Sequence, residues 1–231
     1  GERDRYHVAS SNVPAATMFV HCTGFAELLD DWGDEFRVEI TGLLSRYYTM
    51  VQQIVTELGG TLARTDPYKL GFKLLITFGA PIKHEDDRER AVMAALDLRN
   101  RLAEFNRRID EDVRRLEARA DRSLVRETYI FQRIGVTFGM TFAGEAGWKQ
   151  RREFTLMGDD VNLAARLMNA ARFGEILISQ SVFERAQELF TTEALPPLVM
   201  KGKALPVQAY RVLSARHEAN GPKFAAEMPF I

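Results

Sequence analysis

The stretch from residue 151 to residue 167 narrows the possible folds of this chain more than any other. It dictates a strand, a break and a helix in immediate succession. Glu153-Phe154-Thr155-Leu156-Met157 is short and β-prone. Gly158 interrupts it, and Asp159 or Asp160 can cap the first free N–H groups of a helix. In that helix Leu163, Ala164 and Leu167 can serve a buried side. Asn162 and Arg166, four residues apart, share another face. A neutral amide and a fixed cation thus stand side by side just after a strand carrying Thr155. Such a pair can hold a phosphate-bearing ligand, since the arginine fork matches phosphate oxygens. The pattern alone also describes an amphipathic helix with a solvated arginine.

The flanking segments extend this into an alternating architecture. Residues 15–22 are apolar on both faces, which predicts a central strand. Residues 26–31 read as a short helix and residues 34–58 as a longer one, stopped by Gly59-Gly60. Residues 61–64 and 70–78 form a hairpin, with Asp66-Pro67 as the turn signal. Gly79-Ala80-Pro81 closes it. Asp86 or Asp87 caps the next helix, which carries Ala91, Val92, Ala95, Leu98, Leu102 and Phe105. The charge-rich residues 106–127 extend it into solvent, with sparse apolar positions at Ile109, Val113 and Leu116. Residues 129–142 are β-rich, and Gly135 and Gly139 inside them mark bulges or close backbone approach. Gly144-Glu145-Ala146-Gly147 reads as a turn. Beyond the central helix come a strand at 175–178, a helix at 180–189 and two or three strands within 190–213. The order begins with a split β-α-β pattern, so the fold class is α+β: a mostly antiparallel sheet with helices packed on it. Residues 1–14 read as a linker, 15–213 as the domain and 214–231 as a C-terminal tail.

Composition removes several function classes. The chain has 231 residues and a net charge of −1, which speaks against bulk binding to nucleic acid or an acidic membrane. Cys22 is the only cysteine, so no intrachain disulfide or cysteine-zinc cluster forms, and a reducing cytoplasmic setting fits. No apolar run is long enough to span a bilayer. The sequence opens on Gly1 without a Met, which suggests a domain excised from a longer protein.

Several pieces, in order over residues 15–213, resemble the class III adenylate/guanylate cyclase catalytic domain. They are Phe19-Val20-His21-Cys22-Thr23-Gly24-Phe25, Phe78-Gly79-Ala80-Pro81, Gly144-Glu145-Ala146-Gly147, the stretch opening this section, and Val199-Met200-Lys201-Gly202-Lys203. The run from Gly158 to Leu167 is the most specific. The resemblance implies a ferredoxin-like (β-α-β-β-α-β) palm that works as a homodimer or heterodimer with sites at the interface. It implies conversion of ATP or a related nucleotide into the 3′,5′-cyclic nucleotide and pyrophosphate, with two metal ions held by two Asp residues. Carried over residue by residue, Thr155 falls at a base-recognition position, Asn162 at the ribose-orienting position and Arg166 at the position that stabilises charge on the reacting phosphate. Lys201, with Lys203 as its alternative, matches the lysine that binds the terminal phosphates. Lys69 approximates a second base-recognition residue, about one residue out of register.

The departures are as informative. His21 stands where the first metal-binding Asp belongs, and Phe72 where the second belongs. Phe cannot bind a metal, and Mg²⁺ prefers hard oxygen ligands over imidazole. The chain alone is therefore expected to bind no metal, with Mg or Mn coming only from a partner domain. The kept residues resemble the metal-free second domain of tandem soluble-type adenylyl cyclases. Two functions follow: a half-site that completes a heterodimeric cyclase, or an inactive pseudo-cyclase that dimerises or senses a nucleotide or anion. An autonomous cyclase using His21 as a ligand is a third. A diguanylate cyclase is discarded, because Gly59-Gly60-Thr61-Leu62 does not match that signature. Lys83-His84-Glu85-Asp86-Asp87 is better read as a helix start than as a metal cluster. Cys22 reads as inert core.

Overall fold

The computed structural model describes residues 11–120, 129–148, 151–200 and 205–216. Its first strand, β1 (Ser11–Thr23), is followed by helices α1 (Phe25–Trp32) and α2 (Arg37–Glu57). A hairpin of β2 (Thr61–Tyr68) and β3 (Gly71–Phe78) comes next, and then the long helix α3 (Asp87–Ala120). Strands β4 (Phe131–Trp148) and β5 (Arg151–Met157) lead into α4 (Asp159–Ala170). The chain continues through β6 (Ile176–Ser179), α5 (Gln180–Ala186), β7 (Phe190–Ala194) and β8 (Ala209–Ala215). The strands form one sheet in the order β2-β3-β1-β4-β6-β8-β7, with β5 paired to the far end of β4. Only the β4–β6 pairing is parallel among the described strands, so the expected mostly antiparallel α+β fold is found.

β1 is central, as its two-sided apolar pattern requires. Ala16, Met18, Val20 and Cys22 enter the main core with α1, α2, α3 and α5. Ala15 and Phe19, on the alternate face, enter a second core with Val161, Ala164 and Met168 of α4. Helices α1, α2, α3 and α5 therefore lie on one face of the sheet, and α4 lies on the other.

Several boundaries differ from expectation for identifiable reasons. Ser11–Pro14 is not linker: these residues pair with 140–143 of β4. Asp66 and Pro67 do not turn; they lie in β2 opposite Lys73 and Phe72. β2 is an edge strand, where a proline's missing N–H costs no ladder bond. The chain reverses instead at Lys69, which takes φ 49°. Gly144-Glu145-Ala146-Gly147 is strand, paired with residues 152–155 of β5. Ile109, Val113 and Leu116 are buried, so α3's charge-rich end packs against the core instead of projecting from it. The first residues read as tail, Ser214 and Ala215, end β8.

Candidate functional site

Helix α4 is seated by one face of β4. Successive residues on that face are Arg133, Gly135, Thr137 and Gly139. A Cβ on Gly139 would lie 1.8 Å from Asp160 Oδ2. Thr137 Oγ1 donates to the Asp160 carbonyl at 2.8 Å. A Cβ on Gly135 would lie 2.3 Å from both Ala164 O and Met168 N. Gly135 is thus a position of close backbone approach, one of the two readings open from sequence, whereas Gly139 leaves room for the Asp160 side chain. The helix N-cap is Gly158, with no side-chain cap bond, so neither aspartate caps it. Asp159 and Asp160 occupy the first turn, where they complement the helix dipole.

This seating buries Val161, Ala164, Leu167 and Met168 and turns Asn162 and Arg166 outward. Asn162 is exposed and Arg166 half-buried. Neither side chain makes a hydrogen bond or ion pair among the described residues. The structure therefore brings these two expected site residues together on one face. Thr155 lies on β5 opposite Gly144, on the other side of the β4–β5 arm from Leu156 and Ala143, which pack under α4. Lys69 sits at the hairpin tip, its Nζ 5.2 Å from the Tyr68 ring centroid. Lys201 and Lys203 lie outside the described residues.

His21 and Phe72, the two residues that the resemblance sets at metal-binding positions, point away from each other. In the β1–β3 register His21 pairs with Lys73 and Cys22 with Phe72, so side chains 21 and 72 lie on opposite faces. Phe72 stacks on Tyr48 and Phe25, at centroid separations of 5.2 and 6.0 Å, on the α2 side. His21 is 2% exposed on the α4 side, edge-on to Tyr68. Arg133 Nε donates to His21 Nδ1 at 3.1 Å. Arginine is a donor only, so Nδ1 is the acceptor nitrogen and the ring is neutral. Burial, then the nearby charges of Arg133 and Lys69, pull the His21 pKa from 6.5 down to about 4, against a smaller upward pull from the Tyr68 backbone.

Divalent metal does not fit these residues. One position offers only carbon. The other offers a nitrogen already bonded to a guanidinium and surrounded by cations. No cluster of three or more His, Cys, Asp or Glu able to hold a metal occurs among the described residues. His84 donates its backbone N–H to Asp87 at 3.0 Å at the start of α3. Cys22 is buried, and its thiol pKa is pushed up to about 12 by desolvation, as an inert core cysteine requires.

Sequence reasoning missed Asn169, Arg133, Tyr68 and Lys73. Asn169 continues the Asn162–Arg166 face by one turn, and its Oδ1 accepts from Tyr68 Oη at 2.7 Å. That spacing was the available signal. Arg133 and Lys73 flank His21 only through strand pairing, which the one-dimensional pattern does not contain.

Comparison with known proteins agrees with this geometry. The adenylate and guanylate cyclase catalytic domain family matches residues 8–214. Adenylate cyclase 1 of Rhizobium meliloti is 25% identical over 79% of this chain, which spans 25% of that protein's length. An uncharacterized Mycobacterium tuberculosis protein is 28% identical over 81% of the chain, which spans 30% of it. Among solved structures, the adenylyl cyclase CyaB of P. aeruginosa superposes with a TM-score of 0.72 at 26% identity, covering 90% of this chain and 97% of that one. The guanylate cyclase domain of RhGC from Catenaria anguillulae, in complex with GTP, shares the fold with a TM-score of 0.68 at 23% identity, covering 88% and 98%. A family match across nearly the whole domain, together with a fold that seats Asn162 and Arg166 side by side on α4, makes this chain a member of the adenylate and guanylate cyclase catalytic domain family.

Proposed function

We propose that this chain supplies the metal-free half of a two-domain cyclase site that converts ATP to cyclic AMP and pyrophosphate, the other half coming from a metal-bearing cyclase domain. The observation that carries this is the pairing of Asn162 and Arg166, outward-facing and without side-chain partners among the described residues, in a chain that has His21 and Phe72 where the family resemblance expects metal-binding carboxylates. In the reaction the 3′-hydroxyl loses its proton and attacks the α-phosphorus, and the bond to pyrophosphate breaks. Asn162 orients the ribose, and Arg166 faces the charge that grows on the phosphate oxygens. Thr155 and Lys69 meet the base, and Lys201 or Lys203 holds the terminal phosphates. Mg²⁺ or Mn²⁺ enters with the partner. The adenylate cyclase names of the Rhizobium and CyaB relatives support ATP as substrate.

The test is complementation. The chain is mixed with a CyaB catalytic domain whose own counterpart of Arg166 has been replaced by Ala, and cyclic AMP is measured. Activity returns with the wild-type chain. With Arg166→Ala it falls by about 10²–10³-fold, the usual cost of a missing transition-state donor. Full activity with Arg166→Ala overturns the proposal.

A second reading, an inactive domain that binds nucleotide or anion as a dimerisation or regulatory module, is favoured by the His21–Arg133 hydrogen bond and the aromatic packing of Phe72, which close both metal positions. A heterodimer that forms on size exclusion yet stays inactive supports it against the first.

A further inference from the structure

The end of the sheet that bears His21 holds a hydrogen-bonded network that joins three strands to the C-terminal end of α4. Arg133 is its centre. Nε donates to His21 Nδ1 at 3.1 Å. Nη1 donates to the backbone carbonyls of Asn169 and Ala171 at 3.1 and 3.4 Å. Nη2 reaches Asn169 Oδ1 at 3.4 Å. The same Oδ1 accepts from Tyr68 Oη at 2.7 Å. β4, through Arg133, therefore holds the last carbonyls of the helix, which a cation satisfies both by hydrogen bonding and against the helix dipole. β1, through His21, holds the guanidinium. β2, through Tyr68, holds the asparagine side chain. The guanidinium also lies 5.4 Å from the centroid of the Phe173 ring.

We propose that Arg133 and His21 are positioning residues for Arg166, forming a latch that fixes the rotation and tilt of α4. The inference rests on the reading of Arg166 given above, but the latch itself is a property of this chain alone. Asn169 lies one turn beyond Arg166 on the same helix face, so a helix released at Asn169 is free to move at Arg166. The other end of α4 is already held at Gly139 and by the Thr137–Asp160 bond, and its middle lies against Gly135. The C-terminal end is the only one of these contacts made through a long side chain whose orientation depends on a further acceptor, and that acceptor is His21. The residue standing where a metal-binding carboxylate belongs thus has a different task here. It offers a neutral lone pair that turns the guanidinium toward the helix.

The distinguishing experiment exploits the shape of the acceptor. His21→Asn keeps an acceptor near the position of Nδ1, whereas His21→Leu fills the space and offers none. Each is examined with Arg133→Met and Arg133→Lys. Amide exchange along residues 159–170 is measured in the chain alone, and kcat and KM in the CyaB complementation assay. In the chain alone, His21→Leu and Arg133→Met speed exchange in the last turn of α4, while His21→Asn stays near wild type. In complementation, His21→Leu and Arg133→Met lower kcat by about tenfold or more with KM nearly unchanged, as misplacement of a reacting group predicts. His21→Asn stays near wild type there too, and Arg133→Lys lies between. If His21→Leu exchanges no faster than His21→Asn and keeps a kcat equal to or above it, the histidine is only core filling and the latch is wrong. If exchange responds as expected but no variant or wild-type mixture makes cyclic AMP, the latch stands and the proposed reaction fails.

Discussion

His21 is a buried histidine whose chemistry is set by the groups around it. Its ring is held by Arg133 and surrounded by Lys69, Lys73, Tyr68 and Phe173, so the protonated form is disfavoured by burial first and by like charge second. The sign of the stability effect follows from the folded pKa of about 4 lying below the ordinary value of 6.5. The unfolded chain takes up the proton first as pH drops. The contribution is therefore fully present above pH 6.5 and is lost as pH falls toward about 4. The checkable quantity is the difference in melting temperature between wild type and His21→Asn. Because Asn does not titrate, that difference shifts against the wild type as pH is lowered through this window, while shared carboxylate effects cancel. A difference that stays flat with pH contradicts a neutral, acceptor His21.

At the scale of elements, β4 and α4 form one unit, and glycine makes their contact possible. A methyl at Gly135 meets backbone atoms of α4, which cannot swing aside as a side-chain tip can. Gly135→Ala is expected to destabilise the chain by about 1–3 kcal/mol, the usual range for overpacking. Gly42, on α2, has nothing within 4 Å of an added Cβ. Gly42→Ala is expected to stabilise by about 0.5–1 kcal/mol through helix propensity and a less flexible unfolded chain. Urea unfolding of the two variants checks both signs, and a neutral Gly135→Ala denies the close seating. This unit was legible in the sequence because its signals are local: the break at Gly158, the four-residue step from Asn162 to Arg166, and paired glycines in a strand. The Asp66-Pro67 turn signal failed because the edge position of β2, a tertiary fact, made proline harmless within a strand. The burial of Ile109, Val113 and Leu116 was missed for a similar reason, since sparse apolar positions suffice when α1 and α2 already stand beside them. The Arg133 network was illegible because its members come from β1, β2, β4 and α4 and meet only through strand register.

At the scale of the whole molecule, α4 presents Asn162 and Arg166, while the sheet end beside it carries cations and aromatic rings around His21. The simplest idea is that two substitutions, His21→Asp and Phe72→Asp, would create a metal site and an autonomous cyclase. The register argues against it. An Asp at 21 would lie beside the Arg133 guanidinium and become its ion-pair partner. An Asp at 72 would project to the other face, among Tyr47, Tyr48 and Phe25, where a carboxylate loses hydration without gaining a counter-charge. Lys69 and Lys73 would add a repulsive field for any divalent cation approaching from the α4 side. The double variant is therefore expected to be less stable than wild type. It should bind no Mn²⁺ by titration with paramagnetic detection, and make no cyclic nucleotide by itself. Saturable Mn²⁺ binding with new activity would mean that the two positions can converge and that carboxylates there suffice for a metal site. Failure of both readouts in a folded double variant would mean that the surrounding shell, with Arg133, Lys73 and the aromatic cluster, excludes metal as much as positions 21 and 72 do.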